Sequence, residues 1–77
     1  MKKYELEASG SSTFVKEYDN LLALEYELKT ANFPGRLSVC RVDLNEEVAH
    51  GSQSDVLFKI KMAKEHGFND LQGFFEN

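Results

Sequence analysis

Apolar and charged side chains alternate along the first stretch of the chain, residues 3–8. The apolar positions are Tyr4, Leu6 and Ala8, and the charged positions are Lys3, Glu5 and Glu7. A period of two predicts a strand with one buried face. Serine and glycine at positions 9–12 precede a second extended run at 13–18, so the sequence predicts a hairpin.

The spacing of apolar residues changes to three and four between residues 19 and 35, which predicts one amphipathic helix. Its apolar face consists of Leu21, Leu24, Leu28 and Ala31. Asp19 is the predicted N-cap. Asn32 is predicted to take the left-handed position after the helix, with Phe33 folding back on Leu28. Proline and glycine at 34–35 then predict a type II turn.

Two further strands are predicted after this turn. Residues 36–44 are apolar on both sides, with Leu37 and Val39 on one side and Cys40, Val42 and Leu44 on the other. Such a strand is typically central in a sheet or contains a bulge, and the pattern leaves both interpretations open. A turn at 45–47 is expected to lead into a short fourth strand at 48–50.

A second helix is predicted after residue 51. Ser52 and Asp55 have the spacing of a capping box, and the apolar run behind them places Val56, Leu57, Ile60 and Ala63 on one helical face. Residues 58–62 also alternate as a strand would. The start and stop signals favour a helix that ends at a glycine in position 67, with Phe68 folded onto Ala63.

These elements predict a single α+β domain over residues 1–77, in the order β-β-α-β-(β)-α. Two helices are expected on one face of a small, mostly antiparallel sheet of three to four strands, which gives two layers. Segment 68–77 is an aromatic tail, predicted to dock on the domain's own core. Anchoring of this tail in a partner is the alternative, because buried aromatic residues dominate interface energetics.

Charge and cysteine content narrow the classes of partner. The 77 residues have a formal charge of −4, from 13 acidic and nine basic side chains. This balance disfavours nucleic acid and anionic membranes, both of which require a basic surface. Cys40 is the single cysteine, so no internal disulfide forms. No apolar run has the length of a signal peptide core or a membrane span, and we predict a cytoplasmic protein without membrane association.

No catalytic or metal-binding motif is recognisable. Cys40, His50 and His66 are separated by ten and sixteen positions, which does not match the close ligand pairs of zinc sites. Cys40 is predicted to be a buried strand residue rather than a nucleophile. The carboxylates of the hairpin lie on an open face, whereas acid–base catalysis requires a cleft that separates their pKa values. The sequence therefore predicts neither an enzyme nor a cofactor.

The predicted function is that of a small acidic protein–protein interaction module, an inhibitor or adaptor of a larger protein. Small size and acidity also fit a phage or mobile-element protein that blocks a host factor. The candidate partner-binding residues are Glu5, Glu7 and Glu17 of the hairpin, Asp43, Glu46 and Glu47 of the loop, and Phe74 and Phe75 of the tail. A homodimer or larger homo-oligomer, formed through a strand edge or the tail, is the alternative function, and nucleic-acid binding is the third.

Overall fold

The computed structural model describes residues 2–9, 14–33 and 35–72. Its elements are β1 (Tyr4–Ser9), β2 (Phe14–Tyr18), α1 (Leu21–Thr30), β3 (Arg36–Arg41), β4 (Glu46–Gly51) and α2 (Gln53–Glu65). The strands form one antiparallel sheet in the order β2-β1-β3-β4. The predicted α+β fold is confirmed, and the fourth strand is a full member of the sheet.

The topology repeats a strand–strand–helix unit. Helix α1 follows the edge strand β2 and is followed by β3, which lies on the other side of β1. Helix α2 follows the β3–β4 hairpin. Helix α1 packs against β2, α2 packs against β3 and β4, and the two helices contact each other. They run antiparallel, because Gln53 at the start of α2 bonds carbonyls at the end of α1, while Lys64 near the end of α2 reaches Glu25.

The core lies between the helices and one face of the sheet. The buried strand residues are Tyr4, Leu6, Ala8, Leu37, Val39, Val48 and Ala49, and the buried helix residues include Leu21, Leu24, Leu28, Val56, Ile60 and Ala63. The predicted apolar faces of the hairpin and of both helices therefore supply the core. Burial of a Leu or Val side chain is worth about 1.5–3 kcal/mol, so this single cluster accounts for most of the driving force for folding.

A bulge in β4 explains its unusual burial pattern. Val39 pairs with Ala49 and Cys40 pairs with Glu47, so Val48 is an extra residue in β4. The bulge allows two consecutive side chains, Val48 and Ala49, to be buried. Strand β3 is indeed central, as its sequence allowed, and the irregularity lies in its pairing with β4.

The predicted third strand, 36–44, is too long. Strand β3 ends at Arg41 and is followed by a turn at residues 42–45, in which the Leu44 N–H donates to the Arg41 carbonyl at 3.2 Å. Asn45 has a φ of 54°, which asparagine tolerates better than most residues. The turn therefore begins earlier than the sequence suggested, and β4 begins at Glu46.

The start of α1 differs by one residue from the prediction. Asn20, rather than Asp19, is the N-cap, and its side-chain oxygen accepts a hydrogen bond of 2.9 Å from the Ala23 N–H. Both residue types cap well. Asn20 adopts the extended backbone of a cap, whereas Asp19 forms an exposed ion pair with Lys2 at 3.2 Å.

The predicted left-handed Asn32 at the end of α1 is wrong. The chain leaves the helix through Ala31 in an extended conformation, and Asn32 has no positive φ. The side-chain amide of Gln53 explains why, because it donates to the free carbonyls of Leu28 and Ala31. Pro34 of the predicted turn lies outside the described residues, and Gly35 has a φ of 90°, as the third position of a type II turn requires.

Phe33, which follows α1 in the chain, packs into the core. It is buried, its ring stacks on that of Phe14 with centroids 5.4 Å apart, and its N–H donates to the Gln53 side chain at 3.0 Å. One residue of α2 thus fixes both the end of α1 and the segment that follows it.

Both predicted ends of α2 are confirmed. Ser52 and Asp55 form a capping box, with the Asp55 carboxylate accepting from the Ser52 N–H at 3.0 Å. At the other end Gly67 has a φ of 82°, and the Phe68 N–H donates to the Ala63 carbonyl at 2.9 Å, as in a Schellman motif. Residues 58–62 are therefore helical, although their alternating pattern also allowed a strand.

The segment after α2 returns to the sheet. Leu71 is fully buried, and the Arg41 guanidinium donates to its carbonyl at 3.2 Å. Phe68 packs against the core as a partly buried side chain. Phe74 and Phe75 lie outside the described residues, so the docking of the whole 68–77 segment stays a prediction.

Candidate protein-binding surface

The sheet has one face that the helices do not cover, which we call the outer sheet face. Two rows of residues cross its four strands in register. The first row is Glu17, Glu5, Cys40 and Glu47, and the second is Val15, Glu7, Ser38 and His50. None of these eight side chains is buried. Strand alternation places most of them here, because buried residues such as Leu6, Val39 and Ala49 lie next to them in sequence and point into the core.

Negative charge dominates the outer sheet face. Glu5 and Glu17 are direct cross-strand partners, and Glu7 and Glu47 lie in the same two rows. Within the described part of the chain, no ion pair joins Glu5, Glu7 or Glu17 to a cation. Like charges directly opposite each other on neighbouring strands are destabilising. The predicted hairpin carboxylates therefore lie together on this face, and none of the three has an ion-pair partner among the described residues.

Cys40 lies in the middle of this cluster, and the surrounding carboxylates affect the pKa of its thiol. Burial raises the pKa of the Cys40 thiol, a hydrogen bond with Ser38 opposes this, and the negative charges of Glu47, Glu5 and Glu7 raise the pKa further. The raised pKa keeps the thiol protonated at neutral pH. Because the thiolate is the reactive form, this environment makes Cys40 a weak nucleophile.

Glu47 is the most firmly positioned carboxylate of the face. The Ser38 hydroxyl donates to one of its oxygens at 2.5 Å, and His50 Nδ1 lies 3.3 Å from the other. Together with Glu7 and Arg36, these residues line a shallow depression of about 290 Å³. No group of three or more metal-binding side chains is present among the residues that the structure describes.

The three predicted loop carboxylates have different environments. Asp43 forms a bidentate ion pair with Arg41, through Nε at 3.0 Å and Nη2 at 2.5 Å, and this pair lowers the pKa of Asp43. Arg41 itself is buried. Glu46 is exposed at the start of β4, and Glu47 belongs to the outer sheet face. Asp43 is thus held by an internal partner, and Glu47 is the loop residue that joins the hairpin glutamates.

The prediction that Cys40 is buried is wrong, because Cys40 is only half-buried and lies on the outer sheet face. Sequence reasoning also missed the contribution of Ser38 and His50. These residues are brought together by the pairing of β1 with β3 and of β3 with β4. Alternation along β3 correctly separated Cys40 from Leu37 and Val39, but the bulge at Val48 interrupts the corresponding pattern in β4. The predicted tail residues Phe74 and Phe75 lie outside the described residues.

Among the described residues, no helix has the length and apolar character that a bilayer span requires. Comparisons of this chain with protein-family models, with curated proteins and with solved structures found no match.

Proposed function

We propose that this chain is a protein-interaction module whose outer sheet face binds a basic surface on a larger protein, acting as an inhibitor or adaptor. The observation that carries the proposal is the cross-strand pair Glu5 and Glu17, neither of which forms an ion pair with a cation of the described chain. A lysine at either position would stabilise the isolated domain. Local arrangements that cost stability are characteristic of functional sites.

A basic partner would convert this repulsion into attraction. Complementary potentials accelerate association and select against partners of the wrong charge. The centre of the face contains Cys40 and the edge strand contributes the exposed Val15, so the surface combines apolar contact with a surrounding charge. That combination resembles the organisation of protein interfaces, which have a less polar centre and a polar rim.

The size of the face indicates the kind of complex. Four strands of five to six residues cover roughly 20 Å by 20 Å. This is about half of the ~800 Å² that each partner contributes to a stable interface. The complex is therefore expected to include the neighbouring 42–45 turn, where Val42 and Leu44 are exposed, or to be transient and sensitive to salt.

The homo-oligomer and nucleic-acid alternatives receive less support. The edge strand β2 has charged Lys16 and Glu17, and the other edge strand contains the bulge at Val48. Both are features by which natural proteins prevent pairing between sheet edges. The outer sheet face would repel phosphate groups. A cytoplasmic location is part of the proposal, in line with the single cysteine, which is free.

Comparative capture from native lysate tests the proposal. The Glu5→Gln/Glu17→Gln variant keeps the shape of the face and relieves its internal repulsion, so it should fold at least as well as the wild type. Its matched control is Asp19→Asn/Asn69→Lys, which changes the formal charge by the same amount, from −4 to −2, at two exposed positions outside the outer sheet face. We expect the wild type and the control to retain the same partner and the face variant to lose it. Equal capture by all three proteins would refute the proposal.

A further inference from the structure

The helix layer contains a second candidate surface, a groove between α1 and α2. The groove encloses about 580 Å³ and is open along its length, with Lys29 on one wall and Phe58 and Lys61 on the other. Leu57 and Glu25 also line it. It is built from helix residues alone, so it is separate from the outer sheet face.

One large exposed apolar side chain, Phe58, lines this groove, and two more are exposed on α1 beside the groove residues. Phe58 is 60% exposed, and on α1 Leu22 and Tyr26 are 73% and 70% exposed. Leu22 and Tyr26 precede the groove residues Glu25 and Lys29 by three positions, which makes them surface neighbours on the same helix. These three side chains are half of the exposed large apolar residues that the structure describes. Such clustering marks interaction sites in soluble proteins.

The charge of the groove is opposite to that of the outer sheet face. Lys29, Lys61 and Lys64 line it together with Glu25 and Glu65, a net charge of +1 in a chain of −4. Glu25 is almost buried, and the Lys64 and Lys29 ammonium groups lie 2.8 Å and 3.3 Å from its oxygens. Both lysine side chains remain more than half exposed. Lys61 Nζ lies 3.9 Å from a Glu65 oxygen, so each of the three lysines has a carboxylate beside it, and the groove keeps an excess of one positive charge next to an apolar strip.

We propose that this groove binds an amphipathic helix of a partner protein, with apolar anchors flanked by acidic residues. Two antiparallel helices form walls between which a third helix packs, as in helix bundles and helix-in-groove recognition. Helix α2 has 13 residues and is about 20 Å long, so a helix of similar length fills the groove. Acidic flanks match Lys29, Lys61 and Lys64. The chain then has two binding surfaces of opposite charge on its two layers, as an adaptor requires.

Binding of designed peptides to the whole chain tests this inference. Two helical peptides share the same Leu and Phe stripe at helical spacing, and one has Glu on its flanks while the other has Lys. We expect the Glu peptide to shift backbone amide NMR signals of α1 and α2, and to bind roughly tenfold more tightly than the Lys peptide at low salt. Phe58→Ser should weaken binding of the Glu peptide by about tenfold or more, because one large apolar anchor is lost. Val15→Ser removes an exposed apolar side chain from the outer sheet face and should have no effect.

Several results would overturn the inference. They are absence of binding at millimolar peptide, equal binding of both peptides, and shifts confined to the outer sheet face. Self-association of the free protein that disappears in Phe58→Ser would assign the groove to a second copy of the chain instead. Since the Glu5→Gln/Glu17→Gln variant should bind the Glu peptide as the wild type does, failure here is distinguishable from failure of the outer sheet face.

Discussion

Glu5 and Glu17 face each other across the β1–β2 hairpin, and in the described residues neither forms an ion pair. This relationship connects stability to the proposed function. The domain loses stability through the repulsion, and the same repulsion leaves two carboxylates available to a cationic partner. Charge changes at these positions should therefore move stability and binding in opposite directions.

Glu17→Lys should stabilise the isolated domain. The substitution replaces a like-charge pair by an opposite-charge pair, which is worth about 0.2–1 kcal/mol between directly opposed strand residues. Urea unfolding at low salt measures the change. Glu46→Lys makes the same charge change at an exposed position paired with Arg41 rather than with a carboxylate, and should not stabilise. A Glu17→Lys variant less stable than the wild type would contradict the assigned register.

Tyr4→Phe should destabilise the fold. The Tyr4 hydroxyl accepts from the Leu71 N–H at 2.9 Å and donates to Asp70 at 3.0 Å. Its loss leaves a buried N–H without an acceptor, which costs about 1–3 kcal/mol. Each kcal/mol lowers the melting temperature of a domain this size by about 4–8 °C. The control is Tyr26→Phe, which removes a hydroxyl from a side chain that is 70% exposed and should change the melting temperature little. Equal melting temperatures of Tyr4→Phe and the wild type would refute the docking of Leu71.

Stability should fall in acid through Asp70. Burial alone would raise its pKa, but hydrogen bonds from Lys3 and Tyr4 outweigh burial, and the pKa of Asp70 lies below its ordinary value. A carboxyl with a lowered folded-state pKa contributes stability that is fully present above the unfolded-state pKa, about 4, and is lost as pH falls through the folded-state value. Asp70→Asn should therefore be less stable than the wild type near neutral pH, and the gap should close in acid. Urea unfolding across pH measures this, and a gap that stays constant to about pH 2 would contradict the assignment.

Two glycines with positive φ should differ in their response to alanine. Gly67→Ala places a β-carbon in open space at a φ of 82°, so it should cost about 1–2 kcal/mol from backbone strain alone. Gly35→Ala adds a clash, because the β-carbon would lie 2.6 Å from the Ser9 carbonyl oxygen. We expect Gly35→Ala to be the more destabilising in chemical denaturation. The reverse order would contradict the close contact between Gly35 and the Ser9 carbonyl oxygen.

Local patterns in the sequence predicted the elements, whereas contacts between elements decided their details. Alternation in 3–8 and the Ser52–Asp55 capping box involve neighbours in the chain, and both predictions are confirmed. The end of α1 depends on Gln53, which lies more than twenty residues away, so a local rule placed Asn32 wrongly. Strand β3 was predicted too long because Val42 and Leu44 are apolar, although both are exposed in a turn.

The candidate site was likewise predictable only where it depends on residues that are close in the chain. Glu5, Glu7 and Glu17 were found from alternation within one hairpin. The addition of Glu47, and the internal ion pair that holds Asp43, depend on the pairing of β3 with β4 and on the buried Arg41. Exposed apolar residues such as Phe58 could not be separated from core residues by spacing alone, because the groove arises where two helices meet.

The dissociation constant of the captured partner, measured for three proteins, tests the central claim most directly. These are the wild type, Glu5→Gln/Glu17→Gln and the control Asp19→Asn/Asn69→Lys. The account predicts that the face variant binds at least roughly tenfold more weakly, a loss of about 1.4 kcal/mol, with a smaller dependence on salt. The control should match the wild type. Equal dissociation constants for the face variant and the wild type at low salt would contradict the claim that the outer sheet face is the binding surface.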